Sequence, residues 1–195
     1  SFSSDTERAI RAYKRISPKL RFIVGMDDRS DAVPEKNATF ELSRRLMPNS
    51  RAHIRKILDL ADAVVVSTHP LADMVRDLGL NGAPIRVIPN ALQREDWAHL
   101  RPPRLSRKKP RVGWVGALQH RGDLELLLPI IQKTHDVVDW VFMGMTLPDA
   151  SHRIKEAHKP VPFRQYPGAM ARLDLDLAVA PLEMNLFNEA KSNLR

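Results

Sequence analysis

Three short stretches hold the residues able to act on an anionic substrate. In RVGWVGALQHRGD, a strand of Val112, Trp114 and Val115 is interrupted by Gly113 and Gly116. It turns through Gln119, His120 and Arg121 into an amphipathic pattern expected to be one helix over 122–133. A strand–turn–helix of this kind faces backbone N–H groups and the positive end of a helix dipole toward whatever lies above the turn, which suits a phosphate. Gly116 would let the backbone approach closely, where a Cβ would interfere, and Arg121 would add a cation. A second stretch, FNEAKSNLR, places Asn188, Lys191 and Ser192 just after another apolar strand. Two strand ends in one sheet make a crevice, the usual ligand position in α/β folds. The third, MDDRSDAVPEKN, spaces Asp27, Asp28 and Asp31 as DDxxD, and carboxylate oxygens at that spacing suit a divalent cation. It follows a strand and precedes Pro34, so a solvated turn at a strand end is the better reading.

Each of these residues also has a plainer role open to it. Gly116 could be an ordinary turn glycine, Arg121 a solvated arginine and His120 an exposed loop histidine. Asp123 reads as a first-turn helix residue rather than a catalytic acid. The remaining histidines show no HExxH-like spacing, and no G-x-S-x-G surrounds Ser67, so neither a zinc site nor hydrolase chemistry is expected.

The elements that must position these residues alternate along the chain. Ser4-x-x-Glu7 reads as a capping box opening a helix with Ile10, Tyr13 and Ile16 on one side. Strands are expected at 20–24, 63–66, 85–88, 112–115, 140–143 and 175–180, with a possible edge strand at 163–166. Helices are expected after Ser50, after Thr68-His69-Pro70 up to Gly79, and over 151–158 and 169–172. Ala63–Val66 is apolar on both faces, as in a buried parallel strand. Such alternation argues for βαβ units. The expected fold class is therefore α/β, with Rossmann-like parallel sheets and helices on both faces. Two lobes, 1–90 and 111–195, would be joined by a basic, proline-rich linker over 91–110.

Composition narrows the functional classes. With no cysteine there is neither a disulfide frame nor a thiolate metal site. No apolar run is long enough to span a bilayer, and the opening residues contain no signal core. The formal net charge of +8 is concentrated: no acidic residue lies between Asp96 and Asp123, while Arg101, Arg104, Arg107, Lys108, Lys109, Arg111 and Arg121 do. That run could attract an anionic membrane surface, or be a solvated connector. Aromatics do not interleave with it, which argues against single-stranded nucleic acid.

In order, ADAVVVSTHPLADMVRDLG, IRVIPNAL, RVGWVGALQHRGDLELLLPII, PFRQYPG, LDLAVAPL and FNEAKSNLR resemble the GT-B glycosyltransferases. The resemblance is to the family-four group, of the polysaccharide or O-antigen biosynthesis type, over about residues 20–195. Gly116, His120 and Asp123 match a G-x-x-x-H-x-x-D loop, and Phe187, Asn188, Lys191 and Ser192 match an F-N-x-x-K-S segment. The resemblance implies a GT-B-like protein of two lobes, the first incomplete, and a segment of something longer. A paired-glutamate motif of the family would lie beyond Arg195. It implies sugar transfer from a nucleoside-diphosphate sugar to a glycan or lipid-linked acceptor, with retention and without metal or other cofactor. His120 would be catalytic. Gly116, Ala117, Arg121, Asn188, Lys191 and Ser192 would bind the donor, and Asp27 and Asp28 would lie on the acceptor side. No nucleic acid would be involved, and the protein would be cytoplasmic, peripheral at the inner membrane face. A non-catalytic Rossmann-like module that binds a nucleotide or a protein stays open beside it.

Overall fold

The structure is a computed structural model that describes residues 4–80 and 82–194. They form two compact units: one of residues 4–35, 39–91 and 184–194, the other of 36–38 and 92–183. The first unit opens with α1 (Ser4–Ile16), which carries Asp5 and Glu7 in its first turn, Lys14 and Arg15 in its last, and buries Ile10. Strand β1 (Ile23–Met26) follows, three residues downstream of its expected start. Helix α2 (Phe40–Leu46) was not foreseen; it buries no residue, so it has no apolar stripe to betray it. Helix α3 (Ser50–Leu58) buries Ile54, Ile57 and Leu58 as expected, and β2 (Ala63–Val66) runs between β1 and β3 (Ile85–Val87).

Both pairings are parallel, with Ile23 opposite Ala63 and Val66 opposite Val87. All three strands therefore end on one edge of the sheet, at Met26, Val66 and Val87. Between β2 and β3, α4 (His69–Asp77) has the predicted boundaries. Thr68 caps it by accepting the Leu71 N–H at 3.4 Å, and Gly79 at φ +65° ends it. Leu71, Met74, Val75 and Leu78 recur at helical spacing and pack with Val64, Val66, Ile54 and Leu58. Each such side chain, fully buried, contributes about 1.5–3 kcal/mol.

In the second unit, α5 (Arg94–Trp97) precedes the basic stretch, and β4 (Arg111–Val115) starts the sheet. A 3-10 turn over Leu118–His120 leads to α6 (Arg121–Glu125) and α7 (Leu128–Thr134). The single helix expected over 122–133 is thus two. Pro129 has no N–H to give the Glu125 carbonyl, so the first helix stops and the proline opens the second. Strand β5 (Asp139–Met143) and β6 (Glu156–His158) follow, separated by a 3-10 segment, Pro148–Arg153. The expected helix over 151–158 is therefore a short 3-10 turn and an edge strand. Residues 163–165, expected at a strand, form a 3-10 turn, because β6 already occupies the sheet edge beside β5. Helix α8 (Tyr166–Arg172) and β7 (Leu177–Ala178) complete an all-parallel sheet of order β6-β5-β4-β7.

Alternate residues of β5 serve the two faces of this sheet. Trp140 and Phe142 pack with Leu124, Leu127 and Ile131 from α6 and α7, and Val141 and Met143 pack with Ala169 and Leu173 from α8. Helices therefore cover both faces.

The basic stretch is fastened to this unit rather than free. Asp174, buried and at φ +52°, accepts the N–H groups of Arg104 (2.7 Å) and Leu105 (3.0 Å) and pairs with the Arg107 guanidinium. Arg111 is 8% exposed. Its guanidinium donates to both oxygens of Glu156 (2.5 and 2.9 Å) and to the Leu173 carbonyl (3.0 Å). The Arg111 hydrogen bonds hold the Glu156 carboxyl at about 2, well below its ordinary value.

The last element, α9 (Leu186–Glu189), belongs to the first unit. Asn185 caps it by accepting the Asn188 N–H at 2.9 Å. Residues 184–194 fall in the first unit with β1–β3, whereas the sequence reading grouped them with residues 111–183. Ala190, 1% exposed, joins the core around Val64 and Val66.

Candidate functional site

At the C-terminal edge of the second sheet, the strand ends are locked by their backbones. Gly116 N–H donates to the Met143 carbonyl and Gly144 N–H to the His158 carbonyl, each at 3.0 Å. Gly144 sits at φ +105°, and a Cβ there would collide with the Gly116 carbonyl oxygen. The Gly116 N–H is therefore spent within the sheet and is not a donor for a phosphate. The helix expected to aim its dipole at this point is a five-residue α6, too short for a macrodipole argument. What the turn offers is side chains.

Two of these form defined pairs. His120 Nδ1 lies 3.0 Å from Asp123 Oδ2, and Asp123 Oδ1 accepts the Glu183 N–H at 2.8 Å. The His120 N–H in turn donates to the Ala117 carbonyl at 3.1 Å, closing the turn. Arg121 is largely exposed and donates to Glu125 at 3.3 Å, whose other oxygen meets Lys36 Nζ at 2.8 Å. The Lys36 hydrogen bond pulls the Glu125 carboxyl below its ordinary range, and Glu125 raises the Lys36 ammonium.

The first unit gathers a second polar cluster where β1, β2 and β3 end. Asn90, just after β3, donates from Nδ2 to Asp27 Oδ1 at 2.6 Å and to Ser192 Oγ at 3.2 Å. Ser67, just after β2, donates to the Asp27 carbonyl at 3.4 Å, and Thr68 Oγ1 donates to the Ala190 carbonyl at 2.8 Å. Lys191 Nζ pairs with Asp28 at 3.2 Å and lies 4.3 Å from the centre of the Phe187 ring. Asn188 is buried beside them. The DDxxD string is divided: Asp27 goes to Asn90, Asp28 to Lys191, and Asp31 to Arg29 (2.9 Å) and Arg51 (3.1 Å). Among the described residues, no three His, Asp or Glu side chains gather as a metal ion would require.

No protein-family model matches the chain, and no curated protein matches it in sequence. Among solved structures, sucrose-phosphate synthase from Thermosynechococcus elongatus matches with a TM-score of 0.60 at 12% identity, over 91% of this chain and 50% of that one. The fold resembles that of a GT-B glycosyltransferase. The likeness, at this identity, is one of architecture, and this GT-B-like chain spans half the length of the synthase.

The site residues expected for a GT-B-like protein divide between the units. Gly116, Ala117, His120 and Arg121 lie in the second; Asn188, Lys191, Ser192, Asp27 and Asp28 lie in the first. Sequence reasoning missed Asn90 and the role of Asp123. Asn90 follows a parallel strand, where ligand-facing polar groups belong. Asp123 stands three residues after His120, a spacing that brings side chains together on a helical turn. No helix among the described residues is long and apolar enough to cross a membrane.

Proposed function

We propose that the protein transfers a sugar from a nucleoside-diphosphate sugar to a surface glycan or lipid-linked acceptor. The observation that carries this reading is the GT-B-like architecture over 91% of the chain. The polar turns at its strand ends supply cations and a histidine, which such chemistry requires. In the reaction, the bond between the sugar's anomeric carbon and the diphosphate oxygen breaks as the acceptor hydroxyl oxygen bonds to that carbon. Negative charge builds on the departing diphosphate, where cations and fixed donors stabilise it, and the diphosphate takes up the proton released by the acceptor hydroxyl. Arg121, on the turn after β4, is the proposed diphosphate cation in the second unit, with Ala117 and Gly116 forming the turn that presents it. Lys191 is proposed as an anion-binding cation in the first unit, with Asn188 and Ser192 beside it and Asp27 and Asp28 on the acceptor side. His120 is proposed to face the reacting sugar. Charge-assisted hydrogen bonds of this kind contribute about 1.5–3 kcal/mol each. Retention at the anomeric carbon, independence of metal, and an acceptor of the polysaccharide or O-antigen type are part of the proposal and rest on the family resemblance alone.

Arg101, Arg104, Lys108 and Lys109, on the segment held by Asp174, are proposed to favour contact with anionic lipid at the inner membrane face. Vesicle binding that does not respond to anionic lipid content would remove that element.

Ligand-observed NMR with UDP-, GDP-, dTDP- and ADP-sugars tests the donor reading. Saturation transfer to one nucleotide class is expected, weakened in Arg121→Ala and in Lys191→Ala; diphosphate binding unchanged in both variants would overturn the site assignment. One observation favours a second reading, a module that binds without catalysis: Arg121 and Lys191 each already have a carboxylate partner, Glu125 and Asp28. Donor binding with no sugar transferred to any acceptor would select it.

A further inference from the structure

The carboxylate of Asp123 has both oxygens committed, Oδ1 to the Glu183 N–H at 2.8 Å and Oδ2 to His120 Nδ1 at 3.0 Å. The Asp123 side chain is 6% exposed, while that of His120 keeps 24% of its surface open. A carboxylate only accepts hydrogen bonds, so the proton between Asp123 and His120 must sit on Nδ1. In the neutral ring, Nε2 then carries a lone pair. We infer that Asp123 is a positioning residue that holds His120 in the Nδ1–H tautomer and so presents Nε2 as a hydrogen-bond acceptor to a hydroxyl of the bound sugar. The sugar in that statement rests on the proposed function; the tautomer rests on the geometry of this turn alone.

The two committed oxygens also define what an isosteric change does. In Asp123→Asn, the side chain keeps one acceptor and gains an NH₂ donor. The Glu183 amide cannot exchange its donor role, so the Asn carbonyl oxygen stays with it and the NH₂ turns to His120 Nδ1. Nδ1 must then accept, and the proton moves to Nε2, which no longer offers a lone pair. The fold is kept while the chemistry presented by the ring is reversed. A residue that merely packed the turn would leave the tautomer unchanged.

The test is a long-range ¹H–¹⁵N correlation spectrum of the imidazole groups in the full chain, labelled at histidine. The His120 signals are assigned by their loss in His120→Gln. The expected result is the Nδ1–H pattern in the wild type and the Nε2–H pattern in Asp123→Asn. Sugar transfer should fall by about 10²-fold or more in that variant, while binding of the free nucleoside diphosphate stays as in the wild type. An Nε2–H pattern in the wild-type protein overturns the inference without any variant, which covers a variant that does not fold. So does a retained Nδ1–H pattern in Asp123→Asn, or a reversed tautomer with transfer unchanged. Failure of the wild type to bind any nucleotide sugar would instead fell the proposed function, and the wild-type spectrum would still decide whether Asp123 sets the tautomer.

Discussion

Lys191 and Asp28, 163 positions apart in sequence, form an ion pair at 3.2 Å in which the lysine side chain is only 14% exposed. The amine also lies over the Phe187 ring at 4.3 Å, so its stem and charge are both held. An anion that recruits Lys191 must therefore compete with Asp28.

Removing that competitor should strengthen anion binding. Asp28→Asn is expected to tighten the affinity for inorganic pyrophosphate severalfold by calorimetry, and Lys191→Ala in the same background should abolish the gain. The effect is held to severalfold because Asp28 is half exposed and the pair is partly screened. Weaker pyrophosphate binding in Asp28→Asn would mean that the pair orders the site rather than guarding it.

Acid should weaken both units in one window. Glu156, held at about 2 by Arg111, and Asp62, held at about 2 by the Phe22 N–H, Arg21 and Lys14, have depressed folded-state values. Depressed carboxylates bind fewer protons in the folded chain than in the unfolded one. Their stabilisation is complete above the unfolded value of about 4–4.5 and is lost as pH falls toward about 2. Urea midpoints should be level above about pH 5 and drop below it. Glu156→Gln and Asp62→Asn should each flatten that drop, and an unchanged slope in the double variant would exclude these groups.

Asp174 should matter more than any exposed ion pair. Its carboxylate is buried and serves two backbone amides and Arg107. Asp174→Ala is expected to cost about 3–5 kcal/mol in urea unfolding, because it strands a half-buried guanidinium and two amides. Asp174→Asn should cost less, since asparagine keeps an acceptor and tolerates the left-handed backbone. Equal losses in the two variants would show that the acceptor is not what counts.

Gly144→Ala should be the most damaging single-methyl change at the second sheet's edge. It combines φ +105° with a collision against the Gly116 carbonyl, and strain of this kind costs about 1–3 kcal/mol before the clash is relieved. Thermal unfolding within experimental error of the wild type would contradict the close approach of the two backbones.

The most legible parts of the fold were those whose signals are local. Ala63–Val66 is apolar on both faces and became the central strand of its sheet. Thr68, Pro70 and Gly79 punctuate α4 at the residues where it starts and stops. Glu156–His158 was illegible because a three-residue edge strand with a charged end takes its structure from β5, not from its own pattern. The break at Pro129 was visible in the sequence but hidden by the surrounding leucines, which fit a helical stripe on either side of it. In the candidate site, the spacing of His120 and Asp123 was legible while their bond was not. The pairing of Lys191 with Asp28 and of Asn90 with Asp27 depends on a parallel sheet bringing distant segments to one edge.

The first unit takes its last core side chain, Ala190, from a segment made after residues 92–183. The complete interior of that unit therefore exists only once the intervening residues have been synthesised. The Thr68 hydroxyl likewise meets its Ala190 carbonyl only after translation has passed that residue.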